Sequence, residues 1–91
     1  MINLNIRYTE NLKPSIQIKL SASLARYMPD NADVFSIDPG LPIRDLAQIL
    51  GIPMESARLI FVNGVKCDLA TPLSGGERVA IFLEVLPLYF P

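Results

Sequence analysis

At Pro42 the hydrophobic period of the chain changes from two to 3.6, and this switch constrains the fold more than any other feature. Ile43, Leu46, Ala47 and Leu50 stand at i, i+3, i+4 and i+7, the spacing that gives a helix one apolar stripe to lay on a core. Pro42 suits the first helical position, and Gly51 followed by Pro53 is a stop signal. The spacing predicts a helix over 42–50. A helix with one stripe needs an apolar surface to cover, and the flanking segments read as the strands that supply it.

Before the helix, Ile16, Ile18 and Leu20 alternate with Gln17, Lys19 and Ser21, the signature of a strand with one face covered. Leu24, Tyr27 and Met28 follow at helical spacing until Pro29 and Asp30-Asn31 break the chain, so a short helical turn is expected. Val34 to Asp38 reads as a strand with Phe35 and Ile37 on one face, ended by Pro39-Gly40. After the helix, Leu59-Ile60-Phe61-Val62 is an apolar strand, and Asn63-Gly64 is a strong hairpin signal because both central positions of a type I′ turn need positive φ. Val65 to Asp68 should return antiparallel. Gly75-Gly76 then turns the chain into a last strand, Arg78 to Val85. Ile18, Leu20, Ile37, Leu46, Leu50, Ile60 and Ile81 are assigned to one core.

Both ends carry apolar residues outside this domain. Ile2, Leu4, Ile6 and Tyr8 alternate with Asn3, Asn5 and Arg7, which predicts an extra N-terminal strand joined by a polar connector, Thr9 to Ser15. Beyond Val85 lies an apolar tail, Leu86-Pro87-Leu88-Tyr89-Phe90-Pro91. The chain therefore divides into residues 1–15, a domain over 16–85, and a tail over 86–91. Apolar residues make up 51% of the 91 residues and charged ones 19%. A domain of this size buries only roughly 60–65% of its unfolded surface, so part of the apolar surplus is expected at an interface. Ile2, Leu4, Ile6, Tyr8, Leu86, Leu88, Tyr89 and Phe90 are the candidate interface residues, facing another protein or a second copy of this chain.

The same residues argue against several function classes. The formal net charge is -1 and the basic residues are scattered singly, which does not suit a nucleic-acid partner. No apolar run approaches the ~20 residues of a membrane helix, and Met1 to Glu10 alternates instead of forming a signal peptide's apolar stretch. A cytoplasmic location is expected, and the single cysteine, Cys67, fits a reducing compartment. Cys67 reads as a small strand residue, with only Lys66 beside it to lower its pKa. Histidine, the commonest acid/base and metal ligand, is absent. Glu55 and Glu77 lack a local partner and read as solvated charge, and Gly75-Gly76 lacks the lysine and following helix of a phosphate loop. No catalytic, cofactor or metal site emerges, so the chain reads as a non-enzyme.

From about Ile16 to Phe82 the stretches "SLARYMP", "IDPGLPIRDLAQILGIP", "LIFVNG" and "LSGGERVAIF" together resemble the ubiquitin-like β-grasp sulfur carriers, the small subunit of molybdopterin synthase and the thiamine-pathway carrier. The resemblance implies an α+β fold, a mixed sheet with one main helix, and descent from proteins whose C-terminal Gly-Gly is adenylated and converted to a thiocarboxylate. Two positions depart from that pattern. Leu41 occupies the N-cap, where the family often has a hydroxyl residue. The given sequence closes with Leu88-Tyr89-Phe90-Pro91 in place of Gly-Gly, and bulky side chains with a fixed proline φ do not suit a narrow activating channel. Gly75-Gly76 precedes the last strand, so cleavage there would remove part of the sheet. The expectation is a non-catalytic ubiquitin-like interaction subunit. Its partner, by family analogy, is a molybdenum- or tungsten-pterin enzyme or its assembly machinery. The alternative is a genuine sulfur carrier for molybdopterin or thiamine biosynthesis with a processed or atypically activated end.

Overall fold

In the computed structural model, residues 13–83 are described. Alternation sets the first strand: in β1 (Ser15–Leu20), Ile16 and Ile18 are buried while Gln17 and Lys19 are exposed. A 3-10 turn, Ala22–Tyr27, follows and buries Leu24. After a second such turn, β2 (Phe35–Ser36) pairs antiparallel with β1. It is shorter than the predicted strand over 34–38. Ala32–Val34 closes a 3-10 turn ahead of it, and beyond Ser36 Ile37 keeps one link by donating its N–H to the Pro14 carbonyl at 2.9 Å.

The chain then crosses to the other side. β3 (Leu41–Pro42) leads into α1 (Ile43–Leu50), which buries Ile43, Leu46 and Ala47. The helix starts one residue later than predicted, and its N-cap is Pro42 where the sequence reading placed Leu41. The reason is a two-residue ladder that pairs Leu41 with Leu73 and Pro42 with Pro72 and holds Pro42 extended at ψ 154°. Gly51, at φ 85°, ends the helix in the left-handed region that side chains resist. Its N–H reaches the Ala47 and Gln48 carbonyls, and Ile52 turns back into the core.

The remaining strands are β4 (Leu59–Val62), β5 (Val65–Cys67), β6 (Pro72–Leu73) and β7 (Arg78–Phe82). Asn63 and Gly64 join β4 to β5 with φ of 53° and 83°, as the type I′ reading requires. The returning strand stops at Cys67. Asp68 leaves the ladder, and its carboxylate accepts the Ala70 N–H at 3.0 Å and the Thr71 hydroxyl at 3.4 Å.

The main sheet runs β2-β1-β7-β4-β5, with β1 and β7 parallel at its centre and the other pairs antiparallel; β3 and β6 form a second, two-stranded sheet. This mixed sheet with one main helix is a β-grasp arrangement. The core lies between the helix and one face of the sheet. Of the predicted core residues, Ile18, Ile37, Leu46, Ile60 and Ile81 are buried, whereas Leu20 and Leu50 are only half-buried against it. Ile16, Leu24, Ile43, Ala47, Ile52, Ala57, Leu73 and Val79 complete that cluster. No polar or charged side chain is buried among the described residues.

Candidate functional site

The strand register decides which side chains are left over when the core is full. Ile60 and Val62 of β4 and Val79 and Ile81 of β7 turn towards the helix side, so their neighbours Leu59, Phe61, Ala80 and Phe82 stand on the opposite face. Leu59 pairs with Phe82 and Phe61 with Ala80. The Phe61 and Phe82 rings meet diagonally, 5.8 Å between centroids and tilted by 54°, a favoured aromatic geometry. These side chains are half-buried, with no helix of the described residues laid over them.

Three cations border this strip. Lys19 pairs with Ala80 from β1, Lys66 pairs with Phe61 from β5, and Arg78 opens β7. All three are exposed, and none makes an ion pair among the described residues. The acids there, Asp30, Asp33, Asp38, Asp45, Glu55, Asp68 and Glu77, all lie outside the strands of the sheet. A depression of about 340 Å³ opens on this face between Lys19, Arg78, Phe61 and Phe82, with Ala80 and Gly64 completing its wall.

The loop before β7 is tied down at the start of that strand. Glu77 is the residue that reading the sequence as solvated charge missed. It accepts the Ser74 N–H at 2.9 Å, the Ser74 hydroxyl at 3.1 Å and the Gly75 N–H at 2.7 Å. Partial burial pushes its pKa up, but hydrogen bonds from the Ser74, Gly75 and Glu77 N–H groups and the Ser74 hydroxyl outweigh this and hold it below the ordinary value. Gly75, at φ 124°, lies so close to Pro14 that an added Cβ would stand 2.6 Å from the proline Cβ. The Gly75-Gly76 pair is thus a packed turn. Gly76 donates to the Ser15 carbonyl at 2.7 Å, and Gln17 donates to the Glu77 carbonyl at 3.0 Å. Across the sheet, Arg78 donates its N–H to the Asn63 side-chain oxygen at 2.9 Å, so the hairpin and the loop lock the same end of β7.

At the β5 edge a second cleft, about 530 Å³, holds the half-buried free thiol of Cys67 beside Arg44, Arg58, Lys66 and Asp68. Glu55 is exposed, and among the described residues no three acidic, cysteine or histidine side chains gather as metal ligands would. No helix among the described residues is long and apolar enough to cross a membrane. The sequence-selected interface residues Ile2, Leu4, Ile6, Tyr8, Leu86, Leu88, Tyr89 and Phe90 lie outside the described residues, as do Val85 of the predicted last strand and most of the connector. What sequence reading missed is the strip between them. Its signal was hidden in the unbroken apolar run 59–62, where alternation cannot be seen. No protein-family model matches the sequence, and no curated protein matches it.

Proposed function

We propose that this chain is a non-catalytic ubiquitin-like interaction subunit, related to sulfur carriers, that docks onto a partner protein through the open face of its sheet. The observation that carries this reading is the aromatic and aliphatic strip Leu59, Phe61, Ala80 and Phe82, which no helix or strand among the described residues covers. Exposed apolar patches rimmed by polar residues are typical protein-docking sites. The family resemblance points to a pterin-metal enzyme or its assembly machinery as the partner, in the reducing cytoplasm that the single Cys67 suits. The sulfur-carrier alternative gains nothing from Gly75-Gly76. Cleavage after that pair would remove β7, which lies between β1 and β4 in the sheet.

The experiment compares capture of candidate pterin-enzyme subunits by the full chain and by Phe61→Ser and Ala80→Lys variants, with thermal unfolding as a control for folding. Loss of capture by folded variants is the expected result. Undiminished capture would exclude this face. Incubation with an activating enzyme, ATP and a sulfur donor addresses the alternative: a mass gain matching sulfur in place of one carboxylate oxygen would establish a carrier.

A further inference from the structure

From the separation of charge across the fold we infer that the partner segment seated on this face is acidic: an extended protein segment that places an apolar side chain in the depression over Ala80 and carboxylates against Lys19, Lys66 and Arg78. This inference rests on the docking reading above and adds the chemistry of the occupant. The chain as a whole is slightly negative, with formal charge -1, yet among the described residues the outward positions of the main sheet carry cations and no acid. The nearest carboxylate in sequence, Glu77, is already engaged by Ser74 and Gly75. The three cations therefore have no internal partner among the described residues, and an acidic segment would supply one to each side of the strip. Charges placed around an apolar centre in this way select partners and steer encounter more than they add affinity.

The shape of the site favours protein over nucleic acid. Aromatic residues beside cations can stack bases, but a polyanion needs a continuous positive track, and here the cations are set apart around an apolar depression of about 340 Å³. That depression has more than enough room for a leucine or phenylalanine side chain. The net negative charge of the rest of the chain also repels a long polyanion.

The test uses the full-length chain, isotope-labelled and followed by amide NMR, with three probes: a blocked octapeptide alternating glutamate with leucine and phenylalanine, its twin with lysine for glutamate, and an eight-residue oligothymidine. The expected result is that the glutamate peptide shifts the amides of Lys19, Phe61, Lys66 and Ala80. It should bind roughly tenfold more tightly than its lysine twin at low salt, with the gap closing as salt shortens the screening length. A Lys19→Glu/Lys66→Glu variant should reverse the order of the two peptides. If that variant unfolds, Lys19→Gln/Lys66→Gln should abolish the preference. Equal binding of both peptides at this face would overturn the acidic partner while leaving the docking reading intact. Tighter binding of oligothymidine would make this a nucleic-acid face. No shift here by any probe at about 1 mM, the weak limit of specific recognition, would also overturn the inference; the capture experiment above decides separately whether the face docks at all.

Discussion

The two faces of the five-stranded sheet are built from the same strands and differ in almost everything else. The face under α1 is filled by Ile16, Ile18, Ile60, Val79 and Ile81, and no polar or charged side chain is buried there among the described residues. The opposite face sets Phe61, Ala80 and Phe82 among Lys19, Lys66 and Arg78. Burial of the first face is the main source of stability in a domain this small. The second face adds an aromatic contact but, among the described residues, leaves apolar surface and cations without partners, which folding alone does not require. The difference separates the residues that hold the fold from those that packing under the helix leaves free.

Substitution under the helix should produce the largest effect. Leu46 is fully buried at 0% exposure, and Leu46→Ala leaves a cavity costing about 2–5 kcal/mol, a large share of a small domain's stability. Urea unfolding measures this directly. A cost near zero would mean that the helix face does not carry the core, and the contrast between the faces would collapse.

Next in size is the turn that sets β7. Gly75→Ala meets both a left-handed backbone and the Pro14 contact, and an expected loss of about 1–3 kcal/mol follows from strain of that kind. Gly76→Ala is the control: its φ is 88°, but nothing lies within 4 Å of the added Cβ. A smaller loss at Gly76 than at Gly75 would isolate the packing part of the effect. Equal losses would assign the whole effect to backbone conformation.

On the open face the cost should be smaller still. Phe61→Ala removes a half-buried ring and its contact with Phe82, for about 1–2 kcal/mol, part of it the aromatic pairing itself. Fully buried aromatics cost about 3–5 kcal/mol on the same truncation. A loss in that upper range, read by the same urea unfolding, would show that the strip is part of the core and weaken its reading as a docking surface.

Much of the fold was legible because it rests on local chemistry. The helix follows from the stripe through Ile43, Leu46 and Ala47, and the hairpin from Asn63-Gly64. A mixed sheet with one main helix is the fold that the resemblance implied, and the parallel β1–β7 pair is what makes the sheet mixed. The β3–β6 ladder was not legible. Two-residue strands show no alternation, and Pro42 and Pro72 argue for punctuation in sequence. That ladder is also why Leu41 was misplaced as the N-cap. Glu77 was misread because its partners Ser74 and Gly75 lie in its own loop, where a carboxylate's value depends on backbone direction. The strip around Phe61 was not legible: the apolar surplus was assigned to an interface at the two ends, which lie outside the described residues, and which face takes Phe61 depends on a register set by distant pairing.

The smallest expected effect concerns how that register is held. A one-residue slip of β7 would exchange Val79 and Ile81 with Ala80 and Phe82, turning the apolar face outward. The Glu77 carboxylate holds the loop immediately before the strand, at Ser74 and Gly75. Because its pKa is lowered in the folded state, the unfolded chain binds the proton more readily. Its contribution to stability is therefore complete above the ordinary value near 4.5 and is lost as pH falls through the lower, folded value. Glu77→Gln keeps the size of the side chain but replaces one acceptor oxygen with a donor, so the Ser74 and Gly75 bonds cannot both persist. For a partly solvated group the expected loss at neutral pH is under about 1 kcal/mol. The difference between the two proteins should fade as pH is lowered below 4.5. Urea unfolding at several pH values measures the fading, and amide NMR reports the pairing of Ile18 with Val79. If the variant keeps that pairing, the core alone sets the phase of β7 and the clamp only steadies the loop. If the pairing shifts, the contrast between the two faces depends on one carboxylate.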